Sequence, residues 1–267
     1  MNTKFRLLAI ALTVAIFSVQ CTAEKNNTPS VPSMINQFFE AGSFSHEGET
    51  LKYQECAFQS SLPGKASLVV VLHGQYANGS NNNSQLNQDA MIKVWHYLYS
   101  CNAKAVMLAP QCPTGYNWDE NPKTISRLTM AELLKATLDD YITKHPGIDT
   151  SQVYICGYSD ANKPAGAGGV WRMLSEYPDL FAAAMVVAAD PDDTISAEMV
   201  AKTPVLSVKG KNDIYATSDM LDTFADWVRD AGGTLREDII HVGTREELCR
   251  EAFNTERLDW IMQYTKQ

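Results

Sequence analysis

The chain has 267 residues, 31 acidic against 22 basic, a net charge of −9 and 45% hydrophobic residues. That length and apolar content suit one large domain with a substantial core. The acidic balance argues against a nucleic-acid partner and against a polybasic grip on anionic lipid.

The first 21 residues read as a leader rather than as part of the fold. Lys4 and Arg6 make a short basic start, and 7–17 is an apolar run too short to span a bilayer. The run ends at Ser18-Val19-Gln20-Cys21, which resembles a bacterial lipobox and marks Cys21 as the residue expected to carry lipid; the alternative is an ordinary cleaved leader followed by a soluble protein. Residues 22–33, polar and with Pro29 and Pro32, then form a tether, and 34–267 a single domain. Losing Lys4 and Arg6 with the leader takes the net charge from −9 to −11. The expected location is outside the cytoplasm, attached to a membrane only through the lipid on Cys21.

Within the domain the order is strand, loop, helix, repeated. Residues 68–72 (LVVVL) are an unbroken apolar run, as expected of a strand buried on both faces, and end at His73-Gly74. A helix is predicted over 85–100, then a strand over 105–108 ended by Ala109-Pro110. Thr129 with Glu132 three residues on predicts a capped helix running to about His145. Further strands are expected at 153–156, 181–189, 204–209 and 236–242. Helices are expected at 171–177 and 219–230, with a closing helix at 248–262. Alternation of this kind predicts an α/β fold, a mostly parallel central sheet with helices on both faces. Working residues should gather at the carboxyl ends of its strands.

Four strand ends carry candidate chemistry. Gly157-Tyr158-Ser159-Asp160-Ala161 follows a strand and precedes a helix, a Gly-x-Ser turn able to expose the Ser159 hydroxyl on a tight bend. Alone it is a weak signal, because most such turns are ordinary. His73-Gly74-Gln75 can aim backbone amides at an oxygen acquiring negative charge, and His73 itself reads better as a group that holds the turn. Gly210-Lys211-Asn212-Asp213 places an acid where it could orient an imidazole, and His241 lies at the end of the last strand. No cofactor is implied. The cysteines besides Cys21 (Cys56, Cys101, Cys112, Cys156 and Cys249) match no zinc spacing, and no metal site is expected. Cys156 reads as an inert core thiol, and no disulfide pairing follows from the spacing.

Several motifs in order resemble the α/β-hydrolase superfamily, in particular secreted carboxylesterase, polyhydroxybutyrate-depolymerase-like and feruloyl-esterase-like proteins. They are LVVVLHG, GSNNNSQL, LAPQCP with Asn117-Trp118-Asp119, VYICGYS, WRMLSEYPDLFAAA, TPVLSVKGKND and Cys249-Arg250-Glu251-Ala252-Phe253. The resemblance covers nearly the whole mature chain. It implies an α/β-hydrolase fold and hydrolysis of a small-molecule or polymer ester by acyl transfer through Ser159. Asp213 would be the triad acid, the amides of Gln75 and Asp160 the oxyanion hole, and Trp118 a residue near the substrate.

Two departures stand against that activity. The family pattern puts Trp seven residues after the nucleophile, whereas Trp171 follows Ser159 by twelve. About five extra residues within 160–165 interrupt the elbow. Aligned backward from Trp171, the nucleophile position falls on Pro164; aligned forward from the strand, it falls on Ser159, which we prefer. The insertion either shifts the Asp160 amide and spoils the oxyanion hole, or is accommodated as a bulged loop before a helix that starts near Gly168. In addition, Arg245 stands where the family has its catalytic His. Arg keeps its proton and cannot serve as a general base. His241 is the one plausible substitute; His46, His96 and His145 have no comparable claim. The alternative to a serine hydrolase is a pseudoenzyme that binds a ligand or partner in the hydrolase pocket.

Overall fold

A computed structural model of the chain describes residues 35–58, 61–160, 163–213, 216 and 218–266. The expected leader and tether lie outside them. One eight-stranded sheet runs through the domain in the order β1-β2-β4-β3-β5-β6-β7-β8. The strands are β1 (Glu40–His46), β2 (Glu49–Phe58), β3 (Ala66–Leu72), β4 (Ala105–Gln111), β5 (Ile148–Tyr158), β6 (Ala183–Val187), β7 (Val205–Gly210) and β8 (Leu235–Ile240). From β4 across to β8 every pairing is parallel, while β1 and β2 join the edge antiparallel.

Alternation along β3 builds both cores at once. Leu68, Val70 and Leu72 point to the face covered by α2 (Met130–Lys144), α3 (Ala165–Glu176), α4 (Ala197–Val200) and α5 (Ser218–Asp230). Val69 and Val71 point to the other, covered by α1 (Asp89–Ser100), α6 (Arg245–Ala252) and α7 (Thr255–Met262). A strand wanted apolar on both faces must read as a continuous run, and this one does. Thr129 caps α2 as expected, with the reciprocal Glu132 contact present.

Four differences from the sequence reading have local causes. The hairpin of β1 and β2 had no counterpart in it; positive φ at Glu47 (49°) and Gly48 (87°) makes the tight turn that joins them. β4 continues through Ala109-Pro110 to Gln111, because its antiparallel partner β2 carries on there while β3 stops pairing at Leu108. The missing Pro110 N–H therefore costs no bond on the β3 side. The closing helix is two helices, since the Asn254 side chain caps α7 by accepting from Arg257 N at 3.0 Å. Thr244 caps α6, again with a reciprocal Glu three residues on, so α6 begins at Arg245.

The fourth is α3, which starts at Ala165 rather than near Gly168. Its glycines allow a close approach to the sheet. A Cβ on Gly166 would lie 2.3 Å from the Leu72 carbonyl oxygen and 2.5 Å from that of His73. In an open helix Gly→Ala gains about 1 kcal/mol. Here Gly166→Ala is expected to reverse that sign and destabilise the fold by about 2 kcal/mol, because both neighbours are backbone. A urea midpoint at or above that of the unaltered protein would show that α3 can lift off the sheet.

Candidate active site

The elements deliver the expected groups to one end of the sheet. Ser159 follows β5 directly, and its N–H donates to the Val187 carbonyl at 3.0 Å, so the chain is still held in sheet-like contact there. Its side chain is wholly buried. Asp213 follows β7, with its carboxylate 3% exposed. Between them lies Arg245, the first residue of α6.

Arg245 makes the contacts that a triad imidazole would make. Its Nη1 donates to Ser159 Oγ at 2.9 Å, its Nη2 to Asp213 Oδ1 at 2.8 Å and its Nε to the same oxygen at 3.2 Å. The structure thus brings Ser159 and Asp213 together across a guanidinium. The hydroxyl proton of Ser159 is directed elsewhere, since Ser159 Oγ donates to the Lys163 carbonyl inside the inserted loop. Sequence reasoning missed Lys163, and only the size of the insertion hinted that something in it must sit over the serine. His241 is not part of this cluster. It is exposed just beyond β8 and makes no hydrogen bond to Ser159 or Asp213.

The strained bend of a nucleophile elbow is also displaced. Ser159 has no positive φ; among the described residues from Ser159 to the start of α3, the positive φ falls on Ala165, at 42°, just after Pro164. Pro164 is the position reached by aligning backward from Trp171. The insertion separates the two properties that an elbow combines, leaving the hydroxyl at the strand end and the bend at the helix start.

The expected oxyanion donors face a carboxylate of the chain itself. Asp160 turns its side chain onto Gly74, where a Cβ would lie 2.2 Å from Asp160 Cγ. Gln88 Nε2 donates to Asp160 Oδ2 at 3.0 Å, and the Gly74 N–H donates to Gln88 Oε1 at 3.2 Å. Burial raises the Asp160 carboxyl above its ordinary range, and the nearby amides of Gln75, Asp160 and Tyr76, with Gln88, pull it back. Those amides act as oriented dipoles: Asp160 Oδ1 itself accepts no hydrogen bond of ordinary geometry. Asp160 was expected to lend its amide to the site, and its side chain supplies the anion as well.

Trp118 is buried, edge-on to the His73 ring with centroids 5.4 Å apart. Its Cβ lies where a side chain on Gly169 would go. That is a packing position rather than a wall of the nearby cleft. His73 holds the turn as expected: its Nδ1 bonds the Gly74 carbonyl at 2.6 Å, and its Nε2 accepts from Cys112 N at 2.9 Å. Those partners require the neutral ring protonated on Nδ1. The cysteines at 56, 101, 112, 156 and 249 are free, four of them buried, and burial pushes the Cys156 thiol up to about 12. Among the described residues no three His, Cys, Asp or Glu side chains are placed to share a metal ion.

Beside Arg245 opens a cleft of about 580 Å³, lined among others by Lys163, Pro164, Ala189, Asp190, Asp192 and Met220. Arg172, almost fully buried on α3, braces the acidic wall by donating to Asp192 at 2.9 Å.

Comparison of the fold with solved structures gives three informative neighbours. A thermostable esterase aligns with a TM-score of 0.73 at 21% identity over 87% of this chain, which spans 64% of that protein's length. A ferulic acid esterase aligns at 0.63 and 14% identity, over 84% of this chain and 97% of its own. An S-formylglutathione hydrolase from Staphylococcus aureus aligns at 0.60 and 12%, over 84% and 98%. No protein-family model and no curated protein sequence matches the chain. The fold is the α/β-hydrolase fold.

Burial lowers the His73 pKa from 6.5 to about 4. Since the folded value lies below the unfolded one, the neutral ring stabilises the fold fully above about pH 6.5. That contribution is lost as pH falls towards 4, up to about 3 kcal/mol. The stability difference between the protein and His73→Gln, followed by urea unfolding, should therefore shrink over that interval. A difference independent of pH would mean that the ring already titrates normally in the fold.

Proposed function

We propose that this chain uses a hydrolase scaffold to hold a ligand in the cleft beside Arg245 without cleaving it. One observation carries the reading: a guanidinium bridges Asp213 and Ser159 at 2.8 and 2.9 Å, where a general base would have to stand. A guanidinium cannot accept the serine proton, and Ser159 Oγ already donates to a carbonyl. The Asp160 carboxylate adds a second obstacle. Charge developing on a substrate oxygen would meet an anion where acyl transfer needs donors. The ligand proposed is an ester-bearing small molecule or polymer segment, in keeping with the esterases that share the fold. An export leader and lipid on Cys21 would place the protein on the outer side of a membrane.

The competing reading is ester hydrolysis through Ser159, with His241 moved into reach. A fluorophosphonate probe distinguishes the two. We expect no labelling of the unaltered protein, and none of Arg245→His, since the displaced bend and Asp160 remain in that variant. Labelling that disappears in both Ser159→Ala and His241→Ala would overturn the proposal and establish a rebuilt triad.

The same geometry makes a stability prediction. Arg245→Ala removes the guanidinium from the nearly buried Asp213 carboxylate, which keeps its bond from Ala216 N at 3.3 Å, and should cost about 3 kcal/mol, the low end for breaking a buried pair. Adding Asp213→Ala should recover part of that loss, as read from denaturant midpoints. Additive losses would mean that the two side chains are not coupled.

A further inference from the structure

The residues at the amino end of the sheet, opposite the cleft, carry the most exposed aromatic surface near the place where the chain enters the domain. Phe38, just after the first described residue Ile35, is 48% exposed and stacks on Trp95 with centroids 5.0 Å apart. Trp95 stacks in turn on Tyr99, at 5.1 Å and 9° between planes, and Tyr99 is 65% exposed. These rings border a cleft of about 230 Å³ with Cys56, Phe58 and Ala103, none of whose lining residues is charged. For a chain of net charge −9 that is an unusual stretch of surface. Leu62, 53% exposed, belongs to the same end, since its carbonyl accepts from Lys104 Nζ at 2.7 Å.

Chain order fixes which end this is. Tyr99 ends α1 immediately before β4 begins, and Leu62 stands immediately before β3 begins. Ser159, Asp213 and Arg245 lie beyond the carboxyl ends of β5, β7 and β8. The aromatic surface and the ligand cleft therefore face opposite ways along the strands.

We infer that this aromatic surface docks on the lipid bilayer that holds the chain through Cys21. The inference rests on the proposed lipid anchor. Thirteen residues separate Cys21 from Ile35, and even fully extended that stretch spans at most about 50 Å. A folded unit of this size is itself about 45 Å across. The face that meets the tether thus reaches the membrane at any extension of the tether, whereas the far end does so only near full stretch. The exposed rings of Phe38 and Tyr99, packed on the buried Trp95, suit the headgroup boundary, where an apolar body and a polar tip are both accommodated. An acidic protein needs such a contact to be uncharged, because anionic lipid would repel it elsewhere. Docking in this sense turns the cleft away from the bilayer. The ligand then arrives from the aqueous side, as a soluble molecule or polymer and not as a membrane lipid.

Cys101 offers a native reporter, being the exposed member of the free cysteines and two residues from Tyr99. The full chain, acylated at Cys21, is incorporated into phosphatidylcholine vesicles with an environment-sensitive dye on Cys101, and brominated phosphatidylcholine is used as quencher. A control dye sits at Ile239→Cys in a Cys101→Ser background; Ile239 is 53% exposed near the carboxyl end of β8. We expect the Cys101 dye to shift to the blue and to be quenched about two-fold, as for a group at the acyl boundary, with the control unquenched. The double variant Phe38→Ser/Tyr99→Ser should still float with the vesicles and lose the quenching. Flotation with equal quenching of the two dyes would overturn the docking surface alone. Failure of the acylated chain to float would overturn the anchor and the docking with it.

Discussion

The guanidinium of Arg245, held between Asp213 and Ser159, is the contact on which the rest of the site depends. A histidine in its place could exist in two charge states and move a proton between partners. An arginine has one charge state and only donors. The buried Asp213 therefore acquires a permanent counter-ion instead of an orienting role towards a base. A pair of this kind is costly to break because removing one partner leaves the other's charge buried without its counter-charge, which ties α6 to the end of β7.

The inserted loop follows the same logic. In an active elbow the nucleophile sits on the strained residue, and the amide after it completes the oxyanion hole. Here the strain has moved to Ala165, and Ser159 stays in register with the sheet through Val187. The Lys163 carbonyl accepts the hydrogen bond of the Ser159 hydroxyl, and Asp160 sets its carboxylate before the amides of Gln75 and Tyr76. The first of these contacts occupies a hydroxyl that catalysis would leave free for substrate, and the second places an anion before the amides. Strain and unsatisfied dipoles are what active sites keep in reserve; at this site the positive φ lies at Ala165 and the Ser159 hydroxyl is bonded within the chain.

The fold was legible in the sequence wherever a single local rule decides. The apolar run of β3 and the capping box of α2 are cases in point. Legibility failed where partners distant in sequence decide instead. β4 runs past Pro110 only because β2 lies beside it, and the β1–β2 hairpin carries no apolar alternation strong enough to announce it. At the site, Ser159, Asp213 and the replacement at Arg245 could be read from motif order. The claim of His241 could not be judged in advance, because it turns on where a side chain four residues from Arg245 ends up. The role of Asp160 was hidden for a different reason: the motif assigns its amide, and nothing in the motif says where its carboxylate goes.

The departures from the hydrolase pattern are confined to connections. Residues 160–165 and the α6 start at Arg245 differ, while both cores that flank the sheet are filled by ordinary apolar packing. Packing and chemistry are separable in this fold because the strands bury their side chains along their length and offer their carboxyl ends to whatever the loops supply. A chain can thus give up acyl transfer without loosening its core, and can gain stability at the site by relaxing strain and pairing charge. The same separation leaves the amino ends of the strands free to take on an unrelated task. A scaffold whose two ends answer to different constraints can be held at one end and present a ligand cleft at the other.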